Sequence, residues 1–350
     1  MAYRKTLRTL LAVAAALPLA LGGAGGATAA VPSPTPGELR PYDISSAYVS
    51  GVSSGGYLAD QLHVAHSAVF EGAGIFSAGA YDCAQGSVNT ALYACMDTFM
   101  PRRSPAQLEQ LTRERAAAGR VDPVANLSGD PVWLFHGGSD RTVDRPVNDD
   151  LARYHRDFGA NVSYDTSSAA GHAWVSPLGQ VPCATTASPY LNNCGTDPQR
   201  AMLSHLFGAP VAPATSAPLD GTLTRFDQNR HVPGGNAAAV SMGKDGFAYV
   251  PKACAPVPAG ADGPCRLMVA LHGCQQTYGQ IGDTFMRQAH LNEYADTNRM
   301  IVLYPQATTS LDNPRGCWNW WGYGGDTKYA EKGGKQITAI MNMVRQLGDA

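Results

Sequence analysis

The chain has 350 residues, of which 44% are hydrophobic and 15% are charged, so it can bury one large core. This composition excludes an intrinsically disordered protein and a polytopic membrane protein. The formal charge of −2 at pH 7 leaves no overall basic field with which to bind nucleic acid or an anionic membrane surface.

The N-terminal segment, residues 1–30, has the pattern of a secretory signal peptide. Basic residues precede an apolar run over residues 10–21, and small residues follow at 27–30. A membrane anchor is the alternative, but the run is too short to span a bilayer and contains Pro18. We therefore predict a secreted, extracellular protein.

A nucleophile motif follows the first predicted strand, residues 47–50. The sequence GVSSG at 51–55 matches G-x-S-x-G, and apolar residues at helical spacing follow from Tyr57. In this strand–turn–helix context, the glycines allow a sharp turn that exposes the Ser53 hydroxyl. We predict that Ser53 is a nucleophile, the alternative being an ordinary serine in a glycine-rich turn.

A serine nucleophile needs a base and an orienting acid. Hydrolases that carry this motif between a strand and a helix supply them in the chain order Ser, Asp, His. Asp140 lies in the loop after a predicted buried strand, residues 132–135, and His172 lies between small residues after a predicted strand at 161–165. We predict these two as acid and base. The competing carboxylates, which do not directly follow a strand, are Asp130, Asp144, Asp149 and Asp150.

The second half of the chain supplies the remaining part of such a site. An apolar run at 267–271 is followed by His272, Gly273 and Cys274, which match the H-G loop that donates one backbone N–H to an oxyanion hole. The residue after the nucleophile, Ser54, would donate the other N–H. This loop normally precedes the nucleophile, whereas here it follows the histidine.

The order of these parts predicts a circularly permuted α/β-hydrolase fold, with a mostly parallel central sheet flanked by helices. A further apolar run, residues 300–304, is separated from the run before Cys274 by a helical stretch from Phe285 to Tyr294. The proline-rich residues 210–218 are the predicted permutation junction. After the signal peptide, we expect a lead-in over 31–44 and a single catalytic domain over 45–350.

The eight cysteines are interpreted as disulfides, because an even number of cysteines in an exported protein is typical of oxidised pairs. A zinc site would need C-x₂-C spacings, which the sequence lacks. His63 and His66 share a helix face without a neighbouring acidic residue and are interpreted as plain helix surface. We predict neither a metal nor a cofactor. Among many possible pairings, the spacing favours sequential ones: Cys83–Cys95, Cys183–Cys194, Cys254–Cys265 and Cys274–Cys317.

Six stretches together resemble the extracellular poly(3-hydroxybutyrate) (PHB) depolymerases, in particular their single-domain, circularly permuted branch. The stretches are YVSGVSSGGYLADQLHVAHSAVF, GAYDCA, LFHGGSDRTV, VALHGCQQTY, ADTNRMIVLYPQA and GCWNWWGYGG. The resemblance implies that Ser53 is the nucleophile, Asp140 the orienting acid and His172 the base. It also implies two oxyanion donors, Ser54 and Cys274. The substrate-contacting side chain that it implies is Trp320, beside Trp318 and Trp321, of which at least one is expected to be buried.

The implied function is cleavage of the ester bonds of solid or oligomeric PHB, through an acyl-enzyme, to soluble 3-hydroxybutyrate monomers and oligomers. We expect a monomer without a cofactor, which docks on the polymer through exposed aromatic and aliphatic side chains. One alternative is a secreted feruloyl or acetylxylan esterase, whose polysaccharide-linked substrate would favour polar groove residues over a tryptophan cluster. A second is a non-catalytic surface-binding protein on a hydrolase scaffold.

Overall fold

A central β-sheet organises the described part of the chain, residues 31–255 and 263–348 of this computed structural model. The predicted signal peptide, residues 1–30, lies outside the described residues. The strands are β1 (Thr35–Pro36), β2 (Ile44–Val52), β3 (Phe70–Phe76), β4 (Pro131–Phe135), β5 (Asn161–Asp165), β6 (Trp174–Val175), β7 (Val181–Pro182), β8 (Leu191–Asn193), β9 (Thr222–Asp227), β10 (Asp245–Val250), β11 (Cys265–Leu271) and β12 (Met300–Tyr304).

Helices cover both faces of this sheet. They are α1 (Ser54–Ala65), α2 (Val88–Ala94), α3 (Pro105–Ala117), α4 (Arg145–Asp157), α5 (Pro198–Leu206), α6 (Tyr278–Ile281), α7 (Thr284–Gln288), α8 (Asn292–Asn298) and α9 (Lys335–Gly348). Short 3₁₀ helices lie at Val124–Leu127, Gln228–Arg230, Ala237–Val240, Lys252–Cys254 and Tyr323–Gly325. No helix within 31–255 and 263–348 is long and apolar enough to span a bilayer.

The strand order of the central sheet is β1-β9-β10-β12-β11-β2-β3-β4-β5. β10 runs antiparallel to β9 and β12, while the other neighbouring pairs are parallel. The predicted α/β class with a mostly parallel sheet is therefore confirmed. The strands that follow residues 210–218, namely β9, β10, β11 and β12, all lie on one side of the nucleophile strand β2. The short strands β6, β8 and β7 form a separate parallel sheet beside it.

Alternation along the central strands divides the buried side chains between two cores. In β11, Leu267, Val269 and Leu271 belong to one core, and Met268 and Ala270 to the other. The first core packs against α1, α3, α4 and α9, and the second against α5, α7 and α8. A parallel strand covered on both faces needs apolar residues at every position, which explains the continuous apolar runs in the sequence.

Three local expectations differ from the structure. The helical stretch from Phe285 to Tyr294 is two helices, α7 and α8, because His290 between them adopts a left-handed φ of 59°. The lead-in contributes β1, which pairs with β9 at the sheet edge. The interpretation of His63 and His66 as helix surface is wrong, because α1 is buried along its whole length and His63 Nε2 lies 2.9 Å from the carboxylate of Asp130.

Candidate active site

Ser53 occupies the sharp turn between β2 and α1. It adopts φ 57° and ψ −124°, a conformation that residues with a side chain rarely take. Its backbone N–H donates to Phe76 O at 3.0 Å, and its carbonyl accepts from Tyr57 N at 3.0 Å. A Cβ on Gly51 would lie 2.3 Å from Gly55 O, and one on Gly55 would lie 2.4 Å from the carbonyl oxygens at the end of β11. Both glycines of the motif are therefore required by close backbone approach.

Asp140 and His172 are brought together by the loops after two neighbouring parallel strands, β4 and β5. His172 Nδ1 lies 2.8 Å from Asp140 Oδ2, and the pair is almost completely buried. The other carboxylate oxygen, Asp140 Oδ1, accepts from the backbone N–H groups of Thr142 at 2.8 Å and Val143 at 3.0 Å. The backbone N–H of His172 donates to Thr186 Oγ1 at 2.9 Å. Both side chains are thus fixed from several directions.

The electrostatics of this pair keep Asp140 ionised. Burial alone would raise the pKa of Asp140, but the charge interaction and hydrogen bond with His172 outweigh it. The bonds from Val143 and Thr142 act in the same direction, so the pKa of Asp140 lies below its usual value. With Nδ1 bound to the carboxylate, Nε2 is the nitrogen left to exchange a proton, and His172 lines the same cavity as Ser53.

The two predicted oxyanion donors lie at the ends of β2 and β11. Ser54 is the first residue of α1, so its N–H has no acceptor within the helix. Cys274 follows Gly273, whose carbonyl accepts from His272 Nδ1 at 2.7 Å. Since that carbonyl and the Cys274 N–H belong to one peptide unit, His272 fixes the direction in which this N–H points.

His272 is held as a neutral imidazole. Its Nε2 accepts from Ala307 N at 3.2 Å, which leaves the proton on Nδ1. Complete burial lowers the pKa of His272 to about 4, against the opposing effect of the hydrogen bond to Gly273. The tautomer that donates to Gly273 is therefore the stable one near neutral pH.

A disulfide and a hydrogen bond attach the tryptophan segment, Cys317–Trp321, to both candidate donors. Cys317 is bonded to Cys274, and Trp318 N donates to Ser54 Oγ at 3.2 Å. The structure contains the sequential cysteine pairs that the spacing favours, and no free cysteine occurs in the described part of the chain.

A cavity of about 490 Å³ opens in front of Ser53 and His172. Trp320 lies in its wall, where its ring stacks on Tyr57 at 3.9 Å between centroids, and Trp318 is fully buried behind it. Loop residues 312–315 form a further part of the wall. The large apolar side chains that line the cavity include Val52, Val88, Leu92, Met96, Pro314, Trp320 and Trp321. Among the described residues, no cluster of His, Cys, Asp or Glu could hold a metal ion.

Several residues beside the cavity were not predicted from the sequence. Tyr190 and Thr186 line it from the segment after β7, and Gln275 and Gln276 line it from the loop after β11. They lie in loops without periodicity, and a polar residue in such a loop gives no signal that distinguishes a contact residue from a turn residue. Only the position of Gln276 two residues after Cys274 could have directed attention to it.

Comparisons with known proteins found similar sequences and a similar solved structure. Residues 253–348 match the family model described as Esterase PHB depolymerase. The chain is 40% identical over 337 residues to a poly(3-hydroxybutyrate) depolymerase of Delftia acidovorans, covering 95% of this chain and 65% of that protein. It is 36% identical over 346 residues to a polyhydroxybutyrate depolymerase of Talaromyces funiculosus, covering 94% of this chain and 95% of that protein. The structure is similar, with a TM-score of 0.79 and 33% identity, to a PHB depolymerase complexed with R3HB trimer, over 89% of this chain and 99% of that one.

Proposed function

The chain belongs to the polyhydroxybutyrate depolymerase family, and from this premise we propose that it is a carboxylic ester hydrolase that cleaves PHB to soluble 3-hydroxybutyrate monomers and oligomers. The observation that carries the proposal is that Ser53 and the buried Asp140–His172 pair meet at one apolar cavity. A single chain supplies every group that the chemistry needs, so a monomer suffices.

In the proposed mechanism, Ser53 Oγ attacks the ester carbonyl while His172 Nε2 takes its proton. Asp140 holds the imidazole in the tautomer that can accept at Nε2 and stabilises the imidazolium that forms. The oxyanion is stabilised by the N–H groups of Ser54 and Cys274, and each such donor contributes roughly 3 kcal/mol to the barrier reduction.

The second half of the reaction returns the same groups to their starting state. His172 gives its proton to the leaving alcohol, which is the hydroxyl end of one polymer fragment, and the other fragment stays as an ester on Ser53. His172 then activates a water molecule that attacks this acyl-enzyme. The carboxylate product leaves and the proton returns to Ser53, so no cofactor is consumed.

The cavity wall supports a polyester substrate over a polysaccharide-linked ester. PHB offers methyl groups and ester edges, which match a wall built from Trp320 and aliphatic side chains. Two lining residues of α2, Val88 and Leu92, are also exposed at the surface, and the exposed Leu311 directly precedes lining residue Asp312. We assign these residues to the face that docks on the polymer.

Export is part of the proposal. The disulfides suit an oxidising compartment, and a signal peptide over residues 1–30 would direct the chain there. An insoluble polymer outside the cell cannot be taken up intact, so a hydrolase that degrades it there has to be exported.

The test is release of soluble 3-hydroxybutyrate from a suspension of the polymer by the wild type and by Ser53→Ala. We expect release by the wild type only, because the alanine variant lacks the attacking oxygen while the tight turn around residue 53 keeps its packing. Both proteins are also assayed on a short nitrophenyl ester. Release by Ser53→Ala at the wild-type rate would refute the nucleophile, and cleavage of the nitrophenyl ester without polymer hydrolysis would refute the substrate.

A further inference from the structure

We propose that Gln276 is a positioning residue that holds the Gly273–Cys274 peptide in place relative to the segment that carries His172. The inference rests on the proposed function, because it takes the N–H of Cys274 as an oxyanion donor. Both ends of the Gln276 side-chain amide are bonded to backbone groups, so it acts through the backbone that it holds.

The side-chain amide of Gln276 bridges two segments. Its Oε1 accepts from Gly273 N at 2.7 Å, and its Nε2 donates to Pro189 O at 2.8 Å and to Tyr190 O at 3.2 Å. The residue is 2% exposed, so water does not compete for these bonds. A buried amide with both ends bonded fixes the distance between the segments that it joins.

At one end, Gln276 completes the immobilisation of the oxyanion loop. It binds the N–H of Gly273, whereas His272 binds the C=O of the same residue at 2.7 Å. Two successive peptide units are therefore fixed, and the second of them carries the Cys274 N–H. The loop also lies against the nucleophile, because a Cβ on Gly273 would be 3.3 Å from Ser53 Cβ.

At the other end, Gln276 binds a segment that is bonded to the strand after His172. Tyr190 O, which accepts from Gln276, also accepts from Trp174 N at 3.0 Å. Tyr190 adopts a left-handed φ of 57°, which is unfavourable for a large side chain and persists only where surrounding contacts impose it. Gln276 is one of those contacts, and His172 lies two residues before Trp174.

This arrangement places the oxyanion donor and the general base on one rigid frame. Donors of an oxyanion hole act only when they lie within hydrogen-bond distance of the position that the oxyanion takes. A small displacement of such a donor therefore lowers the rate of the chemical step more than it weakens substrate binding. Loss of the Gln276 bridge should thus lower kcat while KM changes little.

The experiment compares Gln276→Met and Gln276→Glu with the matched control Gln280→Met. Gln280 is a neighbouring glutamine whose side-chain bonds, among the described residues, go to Thr277 at the cap of α6. On a soluble nitrophenyl ester, with active sites titrated, we expect Gln276→Met to lower kcat by about 10- to 100-fold, a fraction of the loss on removing a whole donor. KM should stay within about twofold, and Gln280→Met should keep the wild-type kcat.

Two further readouts separate positioning from a purely structural role. Binding of a boronic acid, which mimics the tetrahedral intermediate, should weaken in Gln276→Met in proportion to the loss in kcat. Gln276→Glu keeps the acceptor for Gly273 but loses the donors when ionised, so its kcat relative to wild type should recover as pH falls and the carboxyl becomes protonated.

The outcomes distinguish the two proposals. Suppose that the wild type is active and that Gln276→Met, with its active sites titrated, has the same kcat and the same boronate affinity. This result, whatever the thermal stability of the variant, would overturn the role of Gln276 and leave the proposed function intact. A wild type inactive on every ester would overturn the proposed function instead.

Discussion

The pKa and the orientation of the buried Asp140 carboxylate are both set by its hydrogen-bond partners. Removed from water, it would bind a proton more readily, yet His172 and two backbone N–H groups lower its pKa below the usual value. The same contacts fix its orientation, so that one oxygen faces the loop backbone and the other faces the imidazole.

Asp140→Asn is expected to lower kcat by roughly 10³- to 10⁴-fold with a small change in KM. An asparagine cannot present acceptors to Thr142, Val143 and His172 at the same time, because one of its two ends is an N–H₂ donor. If that donor faces Nδ1, the imidazole proton moves to Nε2 and the base can no longer accept from Ser53. Steady-state kinetics on a soluble ester measure the effect.

The control is Asp144→Asn in the same loop. Asp144 Oδ2 accepts from Thr98 N at 3.1 Å, a bond that an asparagine oxygen can keep. Wild-type kcat is expected for this variant. Equal losses in the two variants would contradict the assignment of Asp140 as the orienting acid.

At the scale of elements, the strands that carry the site residues at their ends could be predicted from the sequence, whereas β3, β9, β10 and the burial of the helices were not. The run at 300–304 coincides with β12, because a strand covered on both faces leaves an unambiguous apolar pattern. The stretch at 161–165 coincides with β5, an edge strand whose residues are exposed or half-buried. His63 was misjudged because its partner Asp130 comes from a distant loop. Gln276 was missed for the same reason, since its bonds to Pro189 and Tyr190 join segments far apart in sequence.

The contact between α1 and β11 joins the two parts of the permuted chain beside the nucleophile turn. Gly55, in the first turn of α1, has no space for a side chain, because a Cβ there would lie 2.4 Å from the carbonyl oxygens of Leu271 and His272. We expect Gly55→Ala to lower the free energy of unfolding by about 2–3 kcal/mol through overpacking. It should also displace the oxyanion loop, so that kcat falls. Denaturant unfolding and ester kinetics on one preparation measure both.

Gly279→Ala is the matched substitution for this test. A Cβ on Gly279, in α6, would meet only Thr277 Oγ1 at 3.9 Å. An alanine in an uncrowded helical position is expected to be neutral or to stabilise by about 0.5 kcal/mol. A Gly55→Ala variant as stable and as active as Gly279→Ala would show that the close approach is not required.

At the scale of the whole molecule, a cluster of charged side chains joins residues that precede the predicted permutation junction, 210–218, to residues that follow it. Asp197, at the start of α5, lies 3.6 Å from His290 Nε2, and Glu293 of α8 lies 3.5 Å from His290 Nδ1. Tyr294 OH donates to Asp197 at 2.5 Å. The cluster is close to the catalytic frame, because Trp174 Nε1 donates to Ala289 O at 3.1 Å.

This cluster predicts a loss of stability at alkaline pH. Burial would lower the pKa of His290, but the carboxylates of Asp197 and Glu293 outweigh it and raise the pKa to about 9. The folded state therefore binds this proton more tightly than the unfolded chain, whose histidine pKa is about 6.5. The resulting stabilisation is fully present below pH 6.5, falls as pH rises, and is lost above about pH 9.

The measurement is the free energy of unfolding of the wild type and of His290→Gln, at intervals from pH 6 to pH 9.5. The variant cannot titrate at this position, so the difference between the two proteins isolates His290 from the tyrosines that ionise at higher pH. The rise of the pKa from 6.5 to about 9 corresponds to at most about 3 kcal/mol, and the difference between the two proteins should shrink steadily as pH rises from 6.5 to 9. Burial lowers the pKa values of His66 and His231, but both residues are present in both proteins, so their contributions cancel in the difference. If the difference in unfolding free energy between the wild type and His290→Gln stays constant from pH 6 to pH 9.5, His290 stabilises the fold through packing rather than through its charge.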